Sequence, residues 1–140
     1  MRDVAFVFFL AAVLCVTGGM IWGITMAATG DHSMVGAHAH LNLVGWATLA
    51  LFGIYYRLTP AAAEGRLARV HAALAVAGVI VMVPGIAIAT TGGSPGVAIA
   101  GSFLTFGSMA IFLYTVVRHG FGGASSADRP LPRAAMTPAE

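Results

Sequence analysis

The chain has 140 residues, 59% of them hydrophobic and 9% charged, and a mean hydropathy of +0.89. That balance excludes an ordinary soluble domain and marks an integral membrane protein. The net charge of +2 rests on few, dispersed basic residues and gives no nucleic-acid footprint. The single cysteine excludes a disulfide framework and a thiolate metal cluster.

Four apolar runs, about 4–29, 34–56, 70–90 and 97–117, reach the roughly 20 helical residues that cross a hydrocarbon core. The predicted fold is therefore an all-α membrane protein, a four-transmembrane-helix bundle over 1–119 with a disordered tail from 120 to 140. A transmembrane barrel is set aside because strands of alternating polarity are absent. The first run follows "MRD" and exceeds the apolar core of a signal peptide, with no small-residue cleavage site after it, so it reads as a retained helix. It carries Cys15, a small core residue, and Gly18, Gly19 and Gly23, the last two spaced as GxxxG.

The second run opens with "GAHAHLNLVGW" and ends at Arg57. The third holds Gly78, Gly85 and Pro84, which predicts a kink and a freed carbonyl near mid-span. In the fourth lie Gly101, Ser102 and Gly107. Such small positions let helix backbones approach closely in lipid, within or between chains. The closing stretch "HGFGGASSADRPLPRAAMTPAE" is rich in Gly, Pro, Ser and Ala without apolar periodicity.

All seven Lys and Arg positions are arginines: Arg2, then Arg57, Arg66 and Arg69 between runs two and three, then Arg118, Arg129 and Arg133 after run four. Four crossings place these on one side, and the positive-inside rule makes that side cytoplasmic. The predicted location is a bacterial inner membrane with both termini cytoplasmic. The loops "GDHSMVGA" and "TTGGSPG", without Lys or Arg, then face the periplasm, and with them His32, His38 and His40.

His40 stands seventeen positions before Arg57, roughly 26 Å along a helix, just inside the outer hydrocarbon edge. Polar side chains at that depth need partners and usually mark a site. Two residues apart on an α-helix means about 200° of rotation, so His38 and His40 cannot chelate one metal from one regular helix. Either the helix serves cofactors on two faces, or one histidine ligates while the other orients. Asn42, one turn after His38, is placed to satisfy a ring nitrogen. His71 and His119, beside arginines at the other boundary, read as packing and helix-dipole residues.

The stretch "HAHLNLVGWATLALFGIYYRLTP" resembles the haem-ligating second helix of nitric oxide reductase and haem-copper oxidase large subunits. "VHAALAVAGVIVMVPGIAIATTGG" resembles the helix that follows it. That family's large subunit has twelve helices in three pseudo-equivalent groups of four. The resemblance implies a homotrimer of this four-helix unit, with haem b between neighbouring second helices. It also implies that His40 is the axial ligand, that His38 matches the family's added second histidine, and that the partners are further copies of the chain and an unidentified redox protein. The chain departs from the family in having no His-His pair, no Tyr one turn from a copper-type His, and no Glu, Asp or Lys within helices two to four. Proton-pumping oxygen reduction is disfavoured accordingly.

The leading expectation is thus a b-type cytochrome that transfers electrons or binds a diatomic gas, NO or O₂. A second class is a copper-binding or respiratory-complex assembly protein using His32, Met34, His38 and His40. A third is a structural subunit whose histidines only bridge helices.

Overall fold

The computed structural model describes residues 3–122, and among them every regular element is a helix. Four are long and apolar enough to cross a membrane: α1, Val4–Thr29; α2, Val35–Leu58; α3, Arg66–Thr90; and α4, Gly96–His119. A short helical turn, Pro60–Ala63, links α2 to α3. The tail anticipated from 120 onward lies, past residue 122, outside the described residues.

Local signals explain the ends. Asp3 caps α1 by accepting from the Phe6 N–H at 2.9 Å, which satisfies one of the orphan donors of a first helical turn. The turn after α3 needs a left-handed residue and finds it in Gly92, at φ 86°. At the arginine end the helices outrun the apolar windows: α2 ends at Leu58, α3 starts at Arg66 and α4 runs to His119. Hydropathy stops at an arginine, but backbone hydrogen bonding does not, because a long side chain can reach past the lipid boundary.

One departure from regular geometry lies directly after the histidines. Within α2 the segment Leu41–Thr48 is a π-helix, between α-helical Val35–His40 and Leu49–Leu58. Its wider i→i+5 turns loosen the angular register between the histidines and the rest of the helix. Side chains help to satisfy the altered backbone: Asn42 Nδ2 donates to the His38 carbonyl at 2.9 Å, and Thr48 Oγ1 to the Leu43 carbonyl at 2.9 Å.

The helices pack as two pairs, α1 with α2 and α3 with α4, joined chiefly through α2 and α3. Glycines set the α3–α4 crossing. A Cβ on Gly85 would strike the Ala98 backbone, one on Gly101 the Met82 backbone, and one on Gly78 would lie 2.7 Å from Thr105 Oγ1. Gly18 and Gly107 have nothing within 4 Å of such a Cβ, so close approach does not explain them. Outward-facing Phe103, Phe106 and Val117 on α4 are more than 70% exposed, as a lipid-facing surface requires.

A cluster of buried rings lies at the arginine end. Phe8, Phe52, Tyr55, Tyr56, His71 and Phe112 form a continuous cluster of rings contributed by all four helices. Tyr55 Oη donates to the Gly120 carbonyl at 2.7 Å, and Thr59 Oγ1 accepts from the Gly122 N–H at 3.0 Å. These bonds tie the end of α4 to the end of α2.

Candidate functional site

The α-helical start of α2 directs its two histidines to different surroundings, as their two-residue spacing requires. His40 is exposed, and its Nδ1 lies 2.8 Å from the Gly36 carbonyl one turn back. A carbonyl oxygen only accepts, so Nδ1 carries the proton and Nε2 is the free nitrogen. A backbone carbonyl on Nδ1 is the arrangement that fixes tautomer and ring orientation in histidine metal ligands. Leu43, one turn further on, is also exposed, so the exposed His40 ring has an apolar side chain beside it on the outer face of α2.

His38 turns inward to α1. Its imidazole sits edge-on to Trp22, with ring centroids 6.3 Å apart, and a Cβ on Gly23 would meet its Cε1 at 3.2 Å. Asn42 Nδ2, anchored by its bond to the His38 carbonyl, also stands 3.4 Å from His38 Nε2. With Nε2 as acceptor the proton falls on Nδ1, which is buried and has no hydrogen-bond partner. Gly19 and Gly23 therefore make the notch in α1 that receives Asn42 and His38. The GxxxG spacing serves a contact within the chain, and an open cavity of about 330 Å³ remains beside it, lined by Gly19, Met20, Gly23, Ile24, His38 and Asn42.

His32 lies apart, exposed in the loop after α1, with Nδ1 3.1 Å from the Gly30 carbonyl. Next to it the Ser33 N–H donates to Asp31 Oδ1 at 2.9 Å and holds that carboxyl below its usual range. Among the described residues no three His, Cys, Asp or Glu side chains gather where they could hold a metal ion. The four-residue copper set of His32, Met34, His38 and His40 is thus not assembled within one chain. Asn42 does reach His38 across the turn, as its position suggested, but the bond pins His38 against α1 rather than presenting it outward.

Sequence reasoning missed a second polar pair. His71 is fully buried in the aromatic cluster, and its Nδ1 lies 2.9 Å from Tyr56 Oη. Its Nε2 is buried without a partner, enclosed by Phe8, Phe52 and Phe112 at centroid distances of 4.6–5.7 Å. The "YY" pair and "VH" were visible in the sequence, but nothing in one chain's periodicity tells that Tyr56 and His71 meet across two helices. The packing role expected for His71 at a boundary is in fact a place in the centre of the core.

No protein-family model, curated protein or solved structure matches this chain.

Proposed function

We propose that the protein is a haem b-binding membrane cytochrome in which His40 is an axial ligand. The observation that carries this reading is the His40 ring: it is exposed beside Leu43, its Nδ1 is bonded to Gly36 and its Nε2 has no protein partner among the described residues. Haem fits that position in donor chemistry, because a neutral imidazole nitrogen is a common iron ligand and apolar surroundings suit the porphyrin. Bound haem supplies one-electron exchange or a metal site for NO or O₂.

The chain's residues divide the work. His40 offers the ligand nitrogen, and Gly36 holds its tautomer. Asn42, Gly19 and Gly23 lock His38 against α1, which fixes the rotation of α2 at the ligand turn, so His38 acts as a positioning residue in this state. One chain presents a single exposed histidine on α2 and leaves its surroundings incomplete. A homotrimer, as the oxidase-type resemblance implies, would supply the missing surface from a neighbour's second helix. The arginine distribution supports an inner-membrane protein with the histidine end periplasmic.

The test is a reduced-minus-oxidised absorbance spectrum of detergent-purified protein expressed with ample haem, taken with and without carbon monoxide. Soret and alpha bands are the expected result. A carbon monoxide shift assigns gas binding, and its absence assigns electron transfer through a six-coordinate iron. A flat spectrum overturns the cytochrome reading, and copper found by metal analysis would then favour the assembly-protein class.

A further inference from the structure

A groove at the arginine end belongs to none of the chemistry above. It runs between α1 and α3 with a volume of about 700 Å³, walled by Val7 on one side and by Ala72, Ala73, Val76, Ala77 and Ile80 on the other. Alanines at three of these positions keep it open. From Arg69 to Ile80 the groove follows eleven residues of helix, roughly 16 Å, which is the length scale of a lipid acyl chain in one leaflet.

Its mouth is polar, with one guanidinium and one carboxylate. Arg69, Gly65 and Asp3 line it. Asp3 is already engaged, accepting from the Phe6 N–H and lying 3.6 Å from Arg57. Arg69 spends only Nε, 3.4 Å from the Gly65 carbonyl, and no ion pair involves it among the described residues. Its remaining guanidinium donors stand at the lipid boundary beside an apolar channel. Gly65, which has no side chain, also leaves the first turn of α3 without a side-chain cap.

We propose that this groove is a binding site for an anionic phospholipid, with the phosphate on Arg69 and one acyl chain along Ala73, Val76, Ala77 and Ile80. A fixed cation at the mouth selects negative headgroups. The small side chains admit a methylene chain that bulkier residues would exclude. The volume lies within the usual range of ligand sites. The proposal does not depend on haem.

The experiment is native mass spectrometry of the detergent-solubilised full chain, titrated with phosphatidylglycerol or phosphatidylcholine. Wild type should retain one phosphatidylglycerol per chain and release phosphatidylcholine more readily. Arg69→Gln should weaken phosphatidylglycerol retention about fivefold, the effect of one arginine near an anionic headgroup, and leave phosphatidylcholine unchanged. Arg66→Gln, outside the groove lining, should change neither. The double variant Ala73→Leu/Ala77→Leu should lose both lipids by filling the channel. Equal retention of the two lipids by wild type, equal loss in the Arg66 and Arg69 variants, or full lipid retention by the filled groove would each overturn the proposal. A change of oligomer mass in the filled variant, with no lipid in the wild type, would assign the groove to a second copy of the chain instead.

Discussion

His71 and His40 sit at opposite ends of the same bundle, and each has one nitrogen engaged and one without a protein partner. At the arginine end, His71 Nδ1 meets Tyr56 Oη and its Nε2 is shut inside aromatic rings contributed by all four helices. At the histidine end, His40 Nδ1 meets the Gly36 carbonyl and its Nε2 is open to the outside. His38 lies between the extremes, with one nitrogen near Asn42 and one buried without a partner. A buried unsatisfied group costs about 1–3 kcal/mol, so both enclosed histidines persist only where packing over-determines them. The same side chain is thus a piece of core at one end and an exposed imidazole at the other. Enclosure, rather than residue type, separates the two roles.

The contrast presupposes a closed bundle, and it breaks most visibly if the α3–α4 contact is forced apart. Gly101→Leu drives a side chain into the Met82 backbone, and overpacking of this kind costs about 3 kcal/mol. Thermal unfolding in detergent should show the largest loss of stability here. The companion change Gly107→Leu, where a Cβ meets nothing within 4 Å, should be nearly silent.

The next effect is smaller and isolates the polar pair. Tyr56→Phe leaves both nitrogens of His71 unpartnered and should destabilise by about 2 kcal/mol. The double variant Tyr56→Phe/His71→Phe should recover part of that loss, because removing both partners is less costly than orphaning one. Additive losses from the two changes would mean that the 2.9 Å contact carries no coupling.

The gross fold was legible because it follows from hydropathy and length: four apolar runs became four helices of nearly those bounds. Side-chain rotation on α2 was legible only as far as His40. The opposed directions of His38 and His40 follow from α-helical spacing, and Val35–His40 is α-helical. Beyond it the π segment Leu41–Thr48 breaks the count of 100° per residue, so the placement of Tyr55 and Tyr56 in the core could not be projected from the histidines. The Gly19–Gly23 spacing was visible, but its partners were not: small residues announce a close approach without saying whether a backbone or a polar side chain arrives. His71 was hidden for a related reason, since its partner Tyr56 lies on another helix.

Loosening the intermediate case should have a modest effect. Asn42→Leu removes the amide that pins His38 and, crowding the notch at Gly19, should cost about 1 kcal/mol. On the proposed reading the ligand nitrogen belongs to His40, so the variant should keep its haem while the spectrum or midpoint potential shifts. Unchanged stability, spectrum and potential would mean that the Asn42–His38 contact positions nothing.

The smallest effect concerns the exposed loop. The Ser33 N–H lowers the Asp31 pKa in the folded protein, so the contact's stabilisation is present above the ordinary carboxylate value and lost as pH falls through the lowered one. Nuclear magnetic resonance of the Ser33 amide should report a titration below the usual Asp range. Asp31→Asn should abolish that titration and leave any haem spectrum intact.

The central claim is that the exposed nitrogen of His40, and not the enclosed His71, holds the haem. Its most direct test compares the pyridine haemochrome content of purified wild type, His40→Ala and His71→Phe, with membrane insertion verified for each. The account expects His40→Ala to insert normally and lose its haem, while His71→Phe keeps haem in proportion to folded protein. Full haem retention in His40→Ala would contradict it.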